Sequence, residues 1–292
     1  MISRARGTSG DFTESRFAGH ETRFQAKRGT AKAWRRTGNL GGVMISVIVA
    51  VAAFVAGFIN AVAGGGTFLT FPALIAAGLP PIDANASNTV ALFPGQIATG
   101  YAARDGLSAA SADNRVNVPV LAAISLVGGF LGGILLLVTP QPVFSRIVPW
   151  LILFATAVFA GGNFMPMSGK KFRLNRTGIF AVQGLVAIYG GYFGGGAGIL
   201  VLSAFTLFGL RDMWLMNSLK ILVVTLMNAA AVITFIAAGL VHWHWTILVA
   251  VAAMAGGFAG LHAARRVPAR IVKGFVVAVG LVLTIYFFVK PA

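Results

Sequence analysis

The chain contains no cysteine and very little acid. Its 292 residues hold 7 Asp and Glu against 23 Lys and Arg, and charged residues make up only 10% of the total. Without cysteine, disulfides, thiolate metal sites and cysteine nucleophiles are excluded. After Met44 the acidic residues are Asp83, Asp105, Asp113 and Asp212, all at the expected ends of apolar segments. No paired carboxylates and no Ser/His/Asp set fall inside those segments, so an enzymatic site has almost no residues to work with. Soluble domains carry about 25% charged residues. A chain with 57% hydrophobic residues and a mean hydropathy of +0.84 is instead a polytopic membrane protein. Its net charge of +16 does not indicate nucleic acid, because the basic residues sit in short loops between apolar runs.

Residues 1–42 differ from the rest. They hold nine Lys and Arg, many Gly, Ser and Thr, and little apolar periodicity, which reads as a disordered basic tail. Translation from Met44 is an equal alternative, since the Ile-Ser-Val-Ile-Val run after it opens directly into a helix. From Val43 onward, periodicity and breakers predict ten helical segments near 43–62, 67–78, 86–103, 117–138, 143–162, 178–193, 197–209, 215–238, 246–264 and 270–289. The second and seventh are too short to span, because about 20 residues are needed to cross the hydrocarbon. They are expected to be half-helices, re-entrant or sharply tilted.

The segments fall into two five-segment copies, 43–162 and 178–289, joined by a basic loop at 163–177. Asn85 and Asn217 correspond at a spacing of 217 − 85 = 132, which also pairs Asn88 with Lys220, Gln96 with Asn228 and Gly64 with Gly196. Gly128-Gly-Phe-Leu-Gly132 matches Gly256-Gly-Phe-Ala-Gly260 at a spacing of 128. Five crossings is an odd number, so the second copy is expected to lie inverted in the membrane. Lys170, Lys171, Arg173 and Arg176 crowd one connection, and Arg265, Arg266, Arg270 and Lys273 another. Four segments separate them, so ten crossings place both on the cytoplasmic side.

Each copy carries one glycine tract inside an apolar run: Asn60-Ala-Val-Ala-Gly64-Gly65-Gly66-Thr67 and Tyr192-Phe-Gly194-Gly195-Gly196-Ala197-Gly198. Glycine costs about 1 kcal/mol against alanine in a helix, and lipid offers no water to the freed backbone. Irregular backbone at that depth is tolerated where it is buried in protein or lines a cavity. Two such breaks at matching places point to a transporter binding site. The competing role is close helix packing by small residues, which suits Gly128, Gly132, Gly256 and Gly260.

Interrupted helices present free N–H groups and a positive dipole end to an anion. Lys220 is the basic residue set well inside an apolar segment, aligned on one face with Val224 and Asn228. Asn88, Leu92 and Gln96 form the matching row. A cation among amide donors suits a small oxyanion; the alternative is a snorkelling lysine with amides that only bridge helices. His242 and His244 lie in a Val-His-Trp-His-Trp turn expected at the interface, with its tryptophans as anchors. No third ligand lies near, so no metal site is expected. His262 is expected to meet headgroups.

The run Gly57-Phe-Ile-Asn-Ala-Val-Ala-Gly-Gly-Gly-Thr-Phe-Leu-Thr-Phe-Pro72, with Ala84-Asn-Ala-Ser-Asn88-Thr after it, resembles the TauE/SafE family of sulfite-exporter-like membrane proteins. Gly190-Gly-Tyr-Phe-Gly-Gly-Gly-Ala-Gly198 resembles that family's second copy of the motif. The similarity covers roughly residues 44–289. One departure is Thr67, where further glycine is common. The resemblance implies movement of sulfite or sulfonates.

The expectation is therefore an all-α polytopic protein of a bacterial inner membrane, working as a secondary transporter that exports sulfite or a short organosulfonate. Its substrate-binding residues are expected to be Asn60, Gly64, Gly65, Gly66, Thr67, Asn85, Asn88, Gln96, Tyr192, Gly194, Gly195, Gly196, Gly198, Asn217, Lys220 and Asn228. No cofactor is expected. The partners are a small anionic substrate and the bilayer, with homo-oligomers allowed. A channel-like anion pore, an uptake permease and a non-transporting partner subunit remain the alternatives.

Overall fold

A computed structural model describes residues 39–62, 65–102, 117–164, 176–208, 210, 212–263 and 269–289. The chain divides into two packing units, 1–47 and 48–292. The described part of the first is the opening of a helix, in which the Ser46 hydroxyl donates to the Gly42 carbonyl at 3.0 Å. The basic residues 1–38 and most of the loops 103–116, 165–175 and 264–268 lie outside the described residues, as do Asp105, Asp113 and Gly64.

Ten helices and no strand are present among the described residues, as the hydropathy pattern predicts. They are α1 (Asn39–Val62), α2 (Thr67–Ala76), α3 (Pro81–Ala102), α4 (Val118–Val138) and α5 (Gln141–Phe164), then α6 (Arg176–Tyr192), α7 (Ala197–Leu207), α8 (Met213–Ala237), α9 (Trp243–Ala263) and α10 (Ala269–Val289). Six of them, α1, α4, α5, α8, α9 and α10, are long and apolar enough to cross a membrane. The short helices are where they are expected: α2 has 10 residues and α7 has 11, or about 15 Å each at 1.5 Å per residue.

Local chemistry sets the boundaries. The Asp212 carboxylate accepts from the N–H groups of Trp214 at 2.8 Å and Leu215 at 3.2 Å, capping α8. Asn117 caps α4 by accepting from Val120 N–H at 3.2 Å. Helix α3 starts five residues earlier than its apolar run suggests. Pro81 occupies its first position, where a missing N–H costs nothing, and Asp83 lies in the first turn beside the positive dipole end.

The glycines of the second tier pack helices, as expected of them. A Cβ on Gly128 or Gly132 would strike Ala187 or the Ile188 carbonyl of α6. One on Gly256 or Gly260 would strike the Phe54 or Phe58 carbonyl of α1. Helices α4 and α6 therefore touch backbone to backbone, as do α9 and α1, with both pairs running parallel.

Contacts also fix the other directions. Gly129 and Gly133 of α4 meet Met227 and Thr234 of α8 in parallel. The starts of α3 and α9 meet through Ser87 and His242. The starts of α3 and α5 meet through Ile82 N–H and Gln141 Oε1, at 3.3 Å. Helix α8 runs antiparallel to α3: Gly100 lies beside Ile221 and Thr225, while Gln96 meets Asn228. Helix α10 opposes α5 in the same way, through Trp150–Phe288 and Thr156–Gly280.

Candidate functional site

The two glycine breaks are real interruptions. Gly65 holds φ 95°, and Gly194 and Gly196 hold φ 78° and 74°, conformations that an L side chain rarely adopts. Gly66 precedes α2 and Gly196 precedes α7, neither with a side-chain cap. The N–H groups of Gly195 and Gly196 have no acceptor among the described residues. The Tyr189 hydroxyl reaches across the second break and donates to the Gly195 carbonyl at 2.7 Å. Helix α5 passes both breaks, with Phe159 beside Gly65 and Ala155 beside Gly196.

Between the breaks lies an apolar crevice too narrow for a water-sized sphere. Thr67, Phe68, Phe71 and Pro72 line one side, and Phe193 and Gly195 the other, with Ile152 of α5 and Leu283 of α10. Phe71 and Phe193 close it edge to face, with ring centroids 5.7 Å apart. This aromatic closure has no period or motif in the sequence to announce it.

The predicted site residues separate into groups. Around the second break, Asn85 Nδ2 donates to the Tyr192 carbonyl at 3.0 Å, and Asn228 Nδ2 donates to Gln96 Oε1 at 2.8 Å. Gly194 faces the Asn228 carboxamide oxygen. Asn88, on the same row of α3, is 2% exposed. The Tyr192 hydroxyl lies 3.4 Å from the Thr139 hydroxyl, away from the break.

A second group forms where α7 meets α8. Lys220 is half-buried, and its Nζ donates to Asn217 Oδ1 at 2.6 Å. Its Cδ lies against Gly198, 3.6 Å from where a Cβ would be. No carboxylate pairs with it among the described residues. Asn217 itself is exposed. Lys220 and Asn228 are on one face as expected, but eight residues place them about 12 Å apart along the helix.

The first break is poorer in polar groups. Gly66 is buried against the Ala56 carbonyl and Asn60 Cβ, whereas Asn60 itself is exposed. Thr67 reaches the crevice.

One pair was missed. His242 Nε2 and Asp83 Oδ2 are 2.8 Å apart, and His242 N–H donates to the Ser87 hydroxyl at 2.9 Å. The turn expected at the interface is thus tied to the start of α3, on the same helix as Asn85 and Asn88. Trp243 is exposed, as an anchor should be, but Trp245 is 6% exposed and belongs to the core. His262 is exposed and its Nδ1 lies 2.9 Å from the Phe258 carbonyl. No cluster of metal-ligating side chains occurs among the described residues.

Broken helices that meet across a narrow crevice, in a chain whose long helices suit a bilayer, define a multi-pass inner-membrane transporter. The profile of the family described as "Sulfite exporter TauE/SafE" matches residues 49–287. The chain belongs to this family. It is 31% identical over 247 residues to "Probable membrane transporter protein ORF9" of Sinorhizobium sp, covering 82% of this chain and 91% of that relative. It is 32% identical over 238 residues to "Probable membrane transporter protein YfcA" of Escherichia coli strain K12, covering 80% and 85% respectively. No solved structure matches it.

Proposed function

We propose that this transporter carries a small sulfur oxyanion, sulfite or a short organosulfonate, outward across the inner membrane. The observation that carries the reading is Lys220: a half-buried cation laid over Gly198 in the first turn of α7, bonded to a neutral amide rather than to an acid. A lysine without a counter-ion among the described residues, beside a helix N-terminus, is suited to an anionic headgroup. With the interior negative, one negative charge leaving gains about 2.3 kcal/mol per 100 mV, so export needs no buried carboxylate.

The halves are read as inverted repeats. Helices α3 and α8 occupy matching places in the two copies, run antiparallel, and touch through the matched pair Gln96 and Asn228. The α4–α6 and α9–α1 interfaces are matched in the same way through their glycines. Such a relation lets one half rock against the other around a central site. A crevice too narrow for water favours this alternating access over a permanently open pore.

The test is sulfite efflux from proteoliposomes holding the purified protein, with a potassium-diffusion potential imposed. Saturable efflux that quickens with an internally negative potential is the expected result. Absence of sulfite and sulfonate flux, in vesicles where the protein is folded and correctly inserted, overturns the substrate assignment.

A further inference from the structure

The second glycine break is held by one side chain from outside it. Gly194 and Gly196 hold φ 78° and 74°, and glycine has more backbone freedom to lose than any other residue. The main-chain bonds that Gly194 makes are long: its N–H donates to the Tyr189 carbonyl at 3.3 Å, and its carbonyl accepts from Ala197 N–H at 3.3 Å. The Tyr189 hydroxyl, donating to the Gly195 carbonyl at 2.7 Å, is the shorter tie. It also spans the break, joining the last turn of α6 to a glycine just ahead of α7.

Phe193 rests on the residue so tied. A Cβ on Gly195 would fall 2.7 Å from Phe193 Cε1, so the ring lies folded back on this glycine. The same ring meets Tyr189, with centroids 6.4 Å apart, and closes the crevice on Phe71. Phe71 is fixed independently, since it lies inside α2, is 1% exposed and packs on Phe287 of α10. Closure of the crevice therefore depends on where the break puts Phe193. The first break is built otherwise. At the spacing of 132, Tyr189 matches Gly57 (189 − 132 = 57) and Phe193 matches Ala61 (193 − 132 = 61). Gly57 lies against the Ala253 carbonyl of α9, where a ring has no room. The hydroxyl there is that of Thr70, which donates to the Gly66 carbonyl at 3.3 Å from within α2 and does not span the break.

We propose that Tyr189 is a latch, a positioning residue whose hydroxyl holds the second break in the shape that seats Phe193 on Phe71. Release of that hydrogen bond frees Gly194–Gly196 to turn and lifts Phe193 from the crevice. The second break is thus the side that opens, and Phe71 on α2 is the side it closes against. Tyr189 acts through Phe193 rather than on the substrate, so the assignment holds for whichever anion is carried.

The test reads access to the crevice on the full-length protein and needs no substrate, so failure of the sulfite assignment leaves it intact. Ile152 lines the crevice from α5 and is 2% exposed, and the chain has no cysteine. Ile152→Cys is therefore a single reporter for a small water-borne thiosulfonate. Thr67→Cys, nearly isosteric and on another wall of the crevice, is the second reporter. Tyr189→Phe keeps the ring and its contacts with Phe154 and Phe193 and removes only the hydroxyl. In either reporter it is expected to speed labelling about two- to tenfold, the range that one neutral hydrogen bond allows. Phe193→Ala should speed labelling at least as much. Tyr189→Phe added to Phe193→Ala should then change nothing, because the latch has no ring left to hold. Labelling no faster in Tyr189→Phe than in the parent reporter overturns the proposal. So does the same acceleration with and without the Phe193 ring, which is what a hydroxyl that only stabilises the fold would give.

Discussion

Asn228 donates a hydrogen bond to Gln96 at 2.8 Å across 132 positions of sequence, the same separation that relates Asn85 to Asn217 and Asn88 to Lys220. A residue that touches its own counterpart lies on or near a two-fold axis, as in an isologous interface. The bond therefore locates the proposed pseudo-symmetry axis between α3 and α8.

Labelling is the direct check of inverted repeats. The chain has no cysteine, so single cysteines can be introduced without background. Cysteines at Ser168 and Ala269 are expected to react from the cytoplasmic side, and one at Ala238, in the α8–α9 connection, from the opposite side. Reaction of Ser168→Cys and Ala269→Cys from opposite faces would refute ten alternating segments.

Lys220→Gln removes the charge while keeping polarity and approximate length. A charge-assisted hydrogen bond is worth about 1.5–3 kcal/mol, so half-saturation for sulfite is expected to rise about ten- to hundredfold. Lys220→Arg is expected to recover only part of this, because the planar guanidinium is bulkier than the point charge that fits beside Gly198. Unchanged kinetics in Lys220→Gln vesicles would make the residue a snorkelling lysine.

The contact between Phe71 and Phe193 is expected to seal the crevice. Phe193→Ala should open it and convert saturable sulfite flux into a leak that rises linearly with concentration. Phe193→Leu, which keeps much of the volume, should leak less. Flux through Phe193→Ala that stays saturable at the parent level would place the seal elsewhere.

Glycine substitutions should divide by mechanism. Gly132→Leu drives a side chain into the Ile188 carbonyl at the α4–α6 contact and is expected to lower the yield of folded protein. Gly198→Leu should leave folding closer to the parent while abolishing transport. Its neighbour is the flexible Lys220 stem, which can shift but then loses its place. Monodispersity in detergent and sulfite flux, measured together, separate the two outcomes.

The Asp83–His242 pair is expected to hold the α8–α9 turn on α3. With side chains 16% and 28% exposed, Asp83→Ala should cost no more than about 1–2 kcal/mol of stability. Increased protease or label access at Ala238, with helicity retained, is the readout.

Long apolar runs determined the ten helices, because burial in lipid depends on local composition and length. Gly65, Gly194 and Gly196 announced both breaks, since few other residues adopt their backbone angles. The match of Gln96 to Asn228 was legible as a spacing, and Lys220 stood out as a cation among apolar neighbours. What each side chain meets was not legible. Asn85 binds the backbone of Tyr192 and His242 binds Asp83 across more than a hundred residues, and no local pattern encodes a partner so distant. The orientation of the amides belongs to that same level. From sequence Asn85, Asn88 and Asn228 were read as donors around an anion or as bridges between helices. Tertiary packing commits the Nδ2 groups of Asn85 and Asn228 to Tyr192 and Gln96. Sequence thus determined where the helices run and break, through hydrophobicity and backbone freedom. Only the tertiary structure decided which polar atoms remain available to a ligand, because that depends on which neighbours have already taken the rest.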